Sequence, residues 1–145
     1  MATRDQNEAE IREIIARWVE ALHARDLDRM MASYETCVVA FDATAPLQYV
    51  GIDAYRKTWR DWFDTLEGPI DYELRELGIC ADDAVAFAHG LVHMAATQKS
   101  GRRGDAWLRW TAGWKKIDGA WLVVHEHVSA PFEVETNRAV LDARP

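Results

Sequence analysis

Hydrophobic spacing divides the chain into a mostly helical first part and a strand-rich remainder. Ile11, Ile14, Ile15, Trp18, Val19 and Leu22 recur at three- and four-residue intervals, which places them on one face of a helix. Asp26 is suited to cap a second, short helix carrying Leu27, Met30, Met31 and Tyr34. Cys37-Val38-Val39-Ala40-Phe41 is a β-type run, and Asp42-Ala43-Thr44-Ala45-Pro46 ends it with turn chemistry. A third helix is expected after Gly51, with Tyr55, Trp59, Trp62, Phe63 and Leu66 on one face and Gly68-Pro69 as its stop.

Strand patterns follow over Asp71–Cys80, Ala84–Gln98, Trp107–Lys116 and Trp121–Ser129. Helices first and antiparallel strands afterwards predict an α+β domain rather than a parallel α/β sheet. Long antiparallel strands twist and curl. The expected architecture is therefore a cone: three N-terminal helices packed on a strongly curved antiparallel sheet, with a pocket between the layers.

Asp118-Gly119 is a strong hairpin signal, and it fixes an expected register for the last two strands. With a two-residue turn Ile117 faces Ala120, and regular counting outward pairs Trp114 with Val123, Ala112 with His125 and Trp110 with His127. That aromatic and imidazole face is assigned to the pocket. The opposite face, with Arg109, Thr111, Gly113, Lys115, Leu122, Val124, Glu126 and Val128, is assigned to the outer sheet surface, where Arg109 and Glu126 could pair. A one-residue slip would exchange the two sets.

Composition narrows the reading. A length of 145 residues fits one domain, taken as 1–145 with a C-terminal tail from about residue 131. A net charge of −7 argues against non-specific nucleic-acid binding, where phosphate contacts dominate. Lys99, Arg102 and Arg103 lie among glycines and read as a solvated turn. No apolar run is long enough for a membrane helix, and the polar, acidic start has no signal-peptide core, so a cytoplasmic protein without membrane contact is expected. Cys37 and Cys80 lack zinc spacing and are expected as buried, reduced thiols. Seven tryptophans either fill a core or line a cavity; Trp18, Trp59, Trp110 and Trp114 are read as pocket wall with Tyr34, Tyr55 and Ala112.

Several segments together resemble the SnoaL-like and ketosteroid-isomerase-like branch of the NTF2-like (cystatin-like) superfamily. They are Arg17-Trp-Val-Glu-Ala-Leu-His-Ala-Arg-Asp-Leu-Asp28, Phe41-Asp-Ala-Thr44, Gly51-Ile-Asp-Ala-Tyr-Arg56, Trp114-Lys-Lys-Ile-Asp-Gly-Ala-Trp121 and His125-Glu-His-Val-Ser129. The likeness spans roughly residues 8–134 and implies the fold more strongly than any activity. The isomerases' general-base Asp falls on Asp42, their helical oxyanion Tyr on Trp18 and their second, protonated Asp near Ala112. One catalytic part of the three is therefore present.

Asp42 can be a general base in an apolar pocket or a turn residue capping backbone N–H groups. His125 and His127 can return or stabilise a proton, or sit as hydrogen-bonded wall residues. His89 or His93 could add a third ligand, but no standard spacing appears, so no metal is expected. Neither a phosphate loop nor a Rossmann glycine pattern occurs, so no cofactor is expected. The functional expectation is a cofactor-independent isomerase, cyclase or dehydratase acting on a small hydrophobic ring compound through Asp42, His125 and His127. Alternatives are a non-catalytic ligand-binding module and a homodimer platform on the outer sheet face.

Overall fold

The structure is a computed structural model describing residues 1–145. Helix α1 spans Arg4–His23, α2 spans Leu27–Met31 and α3 spans Ile52–Asp64. The strands are β1 (Tyr34–Phe41), β2 (Tyr49–Val50), β3 (Leu66–Ala81), β4 (Val85–Gln98), β5 (Arg103–Ile117), β6 (Ala120–Ser129), β7 (Phe132–Glu133) and β8 (Arg138–Ala139).

Local chemistry sets the helix boundaries. Thr3 opens α1 with a capping box, its side chain accepting from the Gln6 N–H while the Gln6 side chain returns to the Thr3 N–H. The Asp26 carboxylate accepts from the Arg29 N–H, as its sequence position predicted. Helix α2 ends at Met31, so Tyr34 belongs to β1 rather than to the helix. Helix α3 stops at Asp64, before Gly68-Pro69. Those two residues lie inside β3 at a break in its pairing with β4, between Glu67 and Asp71. A proline without a donor and a left-handed glycine suit such a break.

Six strands form one sheet in the order β2-β1-β6-β5-β4-β3. The sheet is mixed, because β1 runs parallel to β6, and this corrects the all-antiparallel expectation. The expectation of strong curvature is also corrected: the sheet is not strongly curled, and irregularity is concentrated at discrete register shifts on β1, β3 and β6. Each shift locally raises the twist. Helix α1 lies against β3 and contacts α2, which in turn contacts α3; α3 packs against β1 and β2.

The core lies between helices and sheet, built from Ile11, Ile15 and Leu22 of α1, Met30 and Met31 of α2, and Val38, Ala88, Trp114 and Trp121 of the strands. One polar residue ties this end together. Asn7, fully buried, donates to the Asp82 carbonyl at 3.1 Å and accepts from Lys116 Nζ at 3.0 Å and Trp121 Nε1 at 3.4 Å. It thereby satisfies itself and links α1 to three parts of the sheet. Cys37 and Cys80 are free and exposed, not buried, because each sits at an outward-facing strand position.

Candidate functional site

The hairpin turn forms as expected and the register beyond it does not. Asp118 and Gly119 have φ of 49° and 81°, and Ile117 faces Ala120, Lys116 faces Trp121 and Trp114 faces Val123. The next pair is Gly113 with His125. Val124 is thus an extra residue on β6, a β-bulge, and it reverses the faces of everything after it. Glu126 and Val128 turn inward opposite Ala112 and Trp110, while His125 and His127 turn outward opposite Gly113 and Thr111.

His125 and His127 are accordingly not in the cavity. His125 Nδ1 is bonded to the Val39 carbonyl at 2.7 Å, and both imidazoles meet the Phe41 ring edge-on at 4.7 and 5.4 Å on the outer face. Arg109 does not pair with Glu126; its Nε donates to Ser129 Oγ at 3.1 Å. His89 also faces outward, its ring lying over Gly78, where any side chain would collide with it. His93 bonds Asp105 at 2.7 Å. No group of His, Cys, Asp and Glu is arranged to hold a metal.

Glu126 takes the place expected for the histidines. Its backbone lies between Ala40 of β1 and Ala112 of β5, and Ala112 in turn faces Ala88 of β4. All three alanines are essentially fully buried. A row of methyl groups leaves room above the sheet on both sides of the one long side chain. The Glu126 carboxylate uses that room: Tyr55 Oη donates to its Oε1 at 2.6 Å and Tyr34 Oη to its Oε2 at 2.9 Å. The two phenol rings meet edge-on at 5.4 Å.

Burial pushes the Glu126 carboxyl above its ordinary pKa, and the donors Tyr55, Tyr34 and Trp110 only partly oppose this. Tyr34 and Tyr55 are held well above the usual phenol range, chiefly by burial and then by the adjacent Glu126 charge. No Lys, Arg or His forms an ion pair with this carboxylate. A carboxylate buried without a cation is costly, and it is a recurrent mark of a functional site.

A cavity of about 560 Å³ opens above this floor, a volume ordinary for a small-molecule site. Of the sequence-selected residues, Trp18, Tyr34, Asp42, Tyr55, Trp59, Trp110 and Trp114 all line it. Ala112 is buried in the floor beneath Glu126 without lining the cavity itself. Asp42 sits just past the end of β1, partly buried, with its Oδ1 accepting from the Ala43 N–H at 2.7 Å. It therefore keeps its turn-capping bond while facing the cavity. Burial raises its pKa against that bond, and its charge is felt at both Glu126 and Tyr55.

The walls are aromatic and short of acceptors. Trp18 meets Trp59 and Tyr72 edge-on, each at 5.6 Å. The indole N–H groups of Trp18 and Trp114 are buried without a partner; that of Trp59 lies near the Tyr55 hydroxyl but makes no bond of normal geometry. At the mouth are Gln98, Arg102 and Asp105, together with Ala139 and Leu141 of the C-terminal segment. That segment folds back as the β7–β8 hairpin and is tied to β5 by the Trp107 N–H donating to the Leu141 carbonyl at 2.8 Å. Arg102, expected as plain turn surface, thus borders the cavity, whereas Arg103 pairs with Asp71 at 2.9 Å.

Glu126, Tyr72 and the C-terminal residues are not among those that sequence spacing assigns to the pocket. The run Leu122-Val123-Val124 held a usable signal for the first. Under strict alternation three successive apolar residues cannot all face the core, and a bulge is one way to absorb the odd one.

A family model described as a SnoaL-like domain matches residues 11–133, and the chain belongs to the SnoaL-like family. Among solved structures, it is similar to an NTF2-like protein of unknown function from Pseudomonas putida KT2440, at 36% identity. There 99% of this chain and 100% of that chain are covered, with a TM-score of 0.90. A ketosteroid isomerase-like protein from Erwinia carotovora atroseptica is 21% identical, with 86% and 95% covered and a TM-score of 0.73. The association domain of C. elegans CaMKII is 15% identical, with 87% and 97% covered and a TM-score of 0.68. The last two likenesses speak for the fold alone, which is NTF2-like. No protein with a curated description matches the chain.

Proposed function

We propose that the chain binds a small, ring-containing, largely apolar molecule in this cavity and acts on it by cofactor-independent acid–base chemistry. Asp42 and Glu126 are the proton-handling pair. The observation that carries the reading is the Glu126 carboxylate, buried at the cavity floor between two phenol donors, with Asp42 facing the same space. Burial raises both carboxyl groups above their ordinary values, the direction that favours taking up a proton.

In an isomerisation, one carboxylate would take a proton from a ring carbon activated by a neighbouring carbonyl. The other carboxylic acid would return a proton to a different carbon, with no net oxidation. Free indole N–H groups on the wall would bind the carbonyl oxygen as charge builds there.

The test works whatever the product is. Ring ketones, steroids and small aromatic compounds are incubated with the protein in D2O, and deuterium uptake into carbon positions is followed by mass spectrometry. Catalysed uptake that falls at least ~100-fold in Asp42→Asn supports the reading, that being the ordinary scale of a general base. Binding without uptake returns the cavity to a non-catalytic binding module.

We read residues 1–145 as one domain with its tail over the cavity mouth. No helix is long and apolar enough to cross a membrane. Two free, exposed thiols support a reducing, cytoplasmic setting.

A second reading concerns assembly. Val85, Phe87 and Phe41 are exposed on the outer sheet face beside His89, His125 and His127, and we propose that this face joins two copies of the chain. Sedimentation at micromolar concentration should give a dimer, and a monomer would rule this out.

A further inference from the structure

The cavity selects its occupant by charge. Its lining contains three acidic side chains, Asp42, Asp105 and Glu126, and one basic side chain, Arg102. Arg102 is exposed at the mouth, on the turn between β4 and β5, so the interior holds carboxylates and no cation. A carboxylate offers about four acceptor positions. At Glu126 the phenols of Tyr34 and Tyr55 occupy one on each oxygen, and Trp110 faces the same group. The phenols and the indole that serve this carboxylate are neutral, so they orient it without cancelling its charge.

Around it stand electron-rich rings from every layer: Trp18 of α1, Tyr55 and Trp59 of α3, Tyr72 of β3, and Trp110 and Trp114 of β5. Aromatic faces attract cations, and most strongly where water is excluded. An anionic ligand would meet like charge and find no basic group beyond the rim.

We propose that the natural occupant is a compact ring compound bearing a protonated amine, seated with its ammonium against Glu126 and within the aromatic walls. The proposal rests on the reading that the cavity binds a small molecule, names the charge class of that molecule, and for such a ligand assigns Glu126 to holding the ammonium, which leaves Asp42 alone to take a proton from carbon and return it. The ammonium would donate to the remaining acceptor positions of Glu126, with Asp42 as a second, longer-range counter-charge.

Three matched probes separate the possibilities: 2-naphthylmethylamine, 2-naphthalenemethanol and 2-naphthoate, titrated calorimetrically into the full chain at pH 7.5 and low salt. The amine is expected to bind at least about tenfold more tightly than the alcohol, the scale of one desolvated cation–aromatic or charge-pair contact, with the naphthoate weakest. Glu126→Gln should bring the amine down to the affinity of the alcohol. The ranking in the wild-type protein is decisive by itself should that variant not fold. Equal affinity for amine and alcohol, preference for the naphthoate, or an amine advantage that survives Glu126→Gln in a folded protein overturns the charge assignment and leaves the ligand-binding reading standing. Failure of all three probes to bind the folded protein counts against both.

Discussion

Ala112 of β5 faces Glu126 of β6, not His125, and this pairing decides what the cavity contains. It exists because Val124 occupies a bulge one step earlier. Without that residue's displacement the same strand would present two imidazoles to the interior and leave the carboxylate outside.

Substitutions at the three consecutive positions should therefore behave in alternation. His125→Ala and His127→Ala are expected to leave ligand affinity within about twofold, because surface changes remote from a site rarely exceed ~0.5 kcal/mol. Glu126→Ala should abolish binding of any ligand that uses the carboxylate and leave the Tyr34 and Tyr55 hydroxyls without their acceptor. Calorimetry on the three folded variants checks this. A loss of binding in His127→Ala with none in Glu126→Ala would reverse the assignment.

The buried carboxylate makes stability depend on pH in a fixed direction. Glu126 has a folded-state pKa raised above its unfolded value, so the folded protein holds the proton more tightly. Its contribution is full below the unfolded value near 4.5 and is lost as pH rises through the folded value. Glu126→Gln keeps hydrogen-bonding capacity without the charge. It should be more stable than wild type by about 1–3 kcal/mol at pH 8, with the difference shrinking toward zero near pH 4. Urea midpoints at the two pH values measure it, and a variant less stable at pH 8 than at pH 4 relative to wild type would contradict the sign.

The alanine row in the floor predicts a steric effect. Ala112→Leu or Ala40→Leu would place a branched side chain beside the carboxylate, where the neighbours are already fully buried. A stability loss of about 1–3 kcal/mol is expected from overpacking, together with loss of ligand binding. Thermal melts and calorimetry would show both effects, and normal binding in a folded Ala112→Leu would mean that the floor is not the contact surface.

Ala139 and Leu141 contribute one edge of the cavity mouth, and the hydrogen bond from the Trp107 N–H to the Leu141 carbonyl ties that edge to the sheet. Ending the chain after Ala130 should speed both entry and departure of a fluorescent probe by about tenfold, the loss of roughly 1.4 kcal/mol from the barrier. Stopped-flow indole fluorescence follows it. Unchanged rates in a folded, truncated protein would assign the tail no part in access.

Much of this organisation was legible from periodicity and turn chemistry. The hydrophobic face of α1, the Asp26 cap, the Asp118-Gly119 turn and the aromatic wall from Trp18 to Trp114 all depend on local spacing, which a sequence displays directly. Placement of β1 beside β6 depends on contacts far apart in sequence, so the parallel pair was not visible. The bulge at Val124 is the feature that strand periodicity does not display. Strand faces alternate with period two, so one extra residue exchanges every assignment downstream of it, moving His125 and His127 out and Glu126 in. Asp42 illustrates the reverse case: two readings that compete in the sequence, turn cap and cavity carboxylate, coexist in the structure.

The most direct measurement is a ¹³C NMR titration of the side-chain carboxyls in protein labelled at glutamate. The account predicts one resonance that titrates clearly above the usual glutamate range, disappears in Glu126→Gln and moves when a ligand enters the cavity. A spectrum in which every glutamate titrates normally, or in which the displaced resonance survives Glu126→Gln, would place Glu126 outside the cavity and remove the foundation of the proposed function.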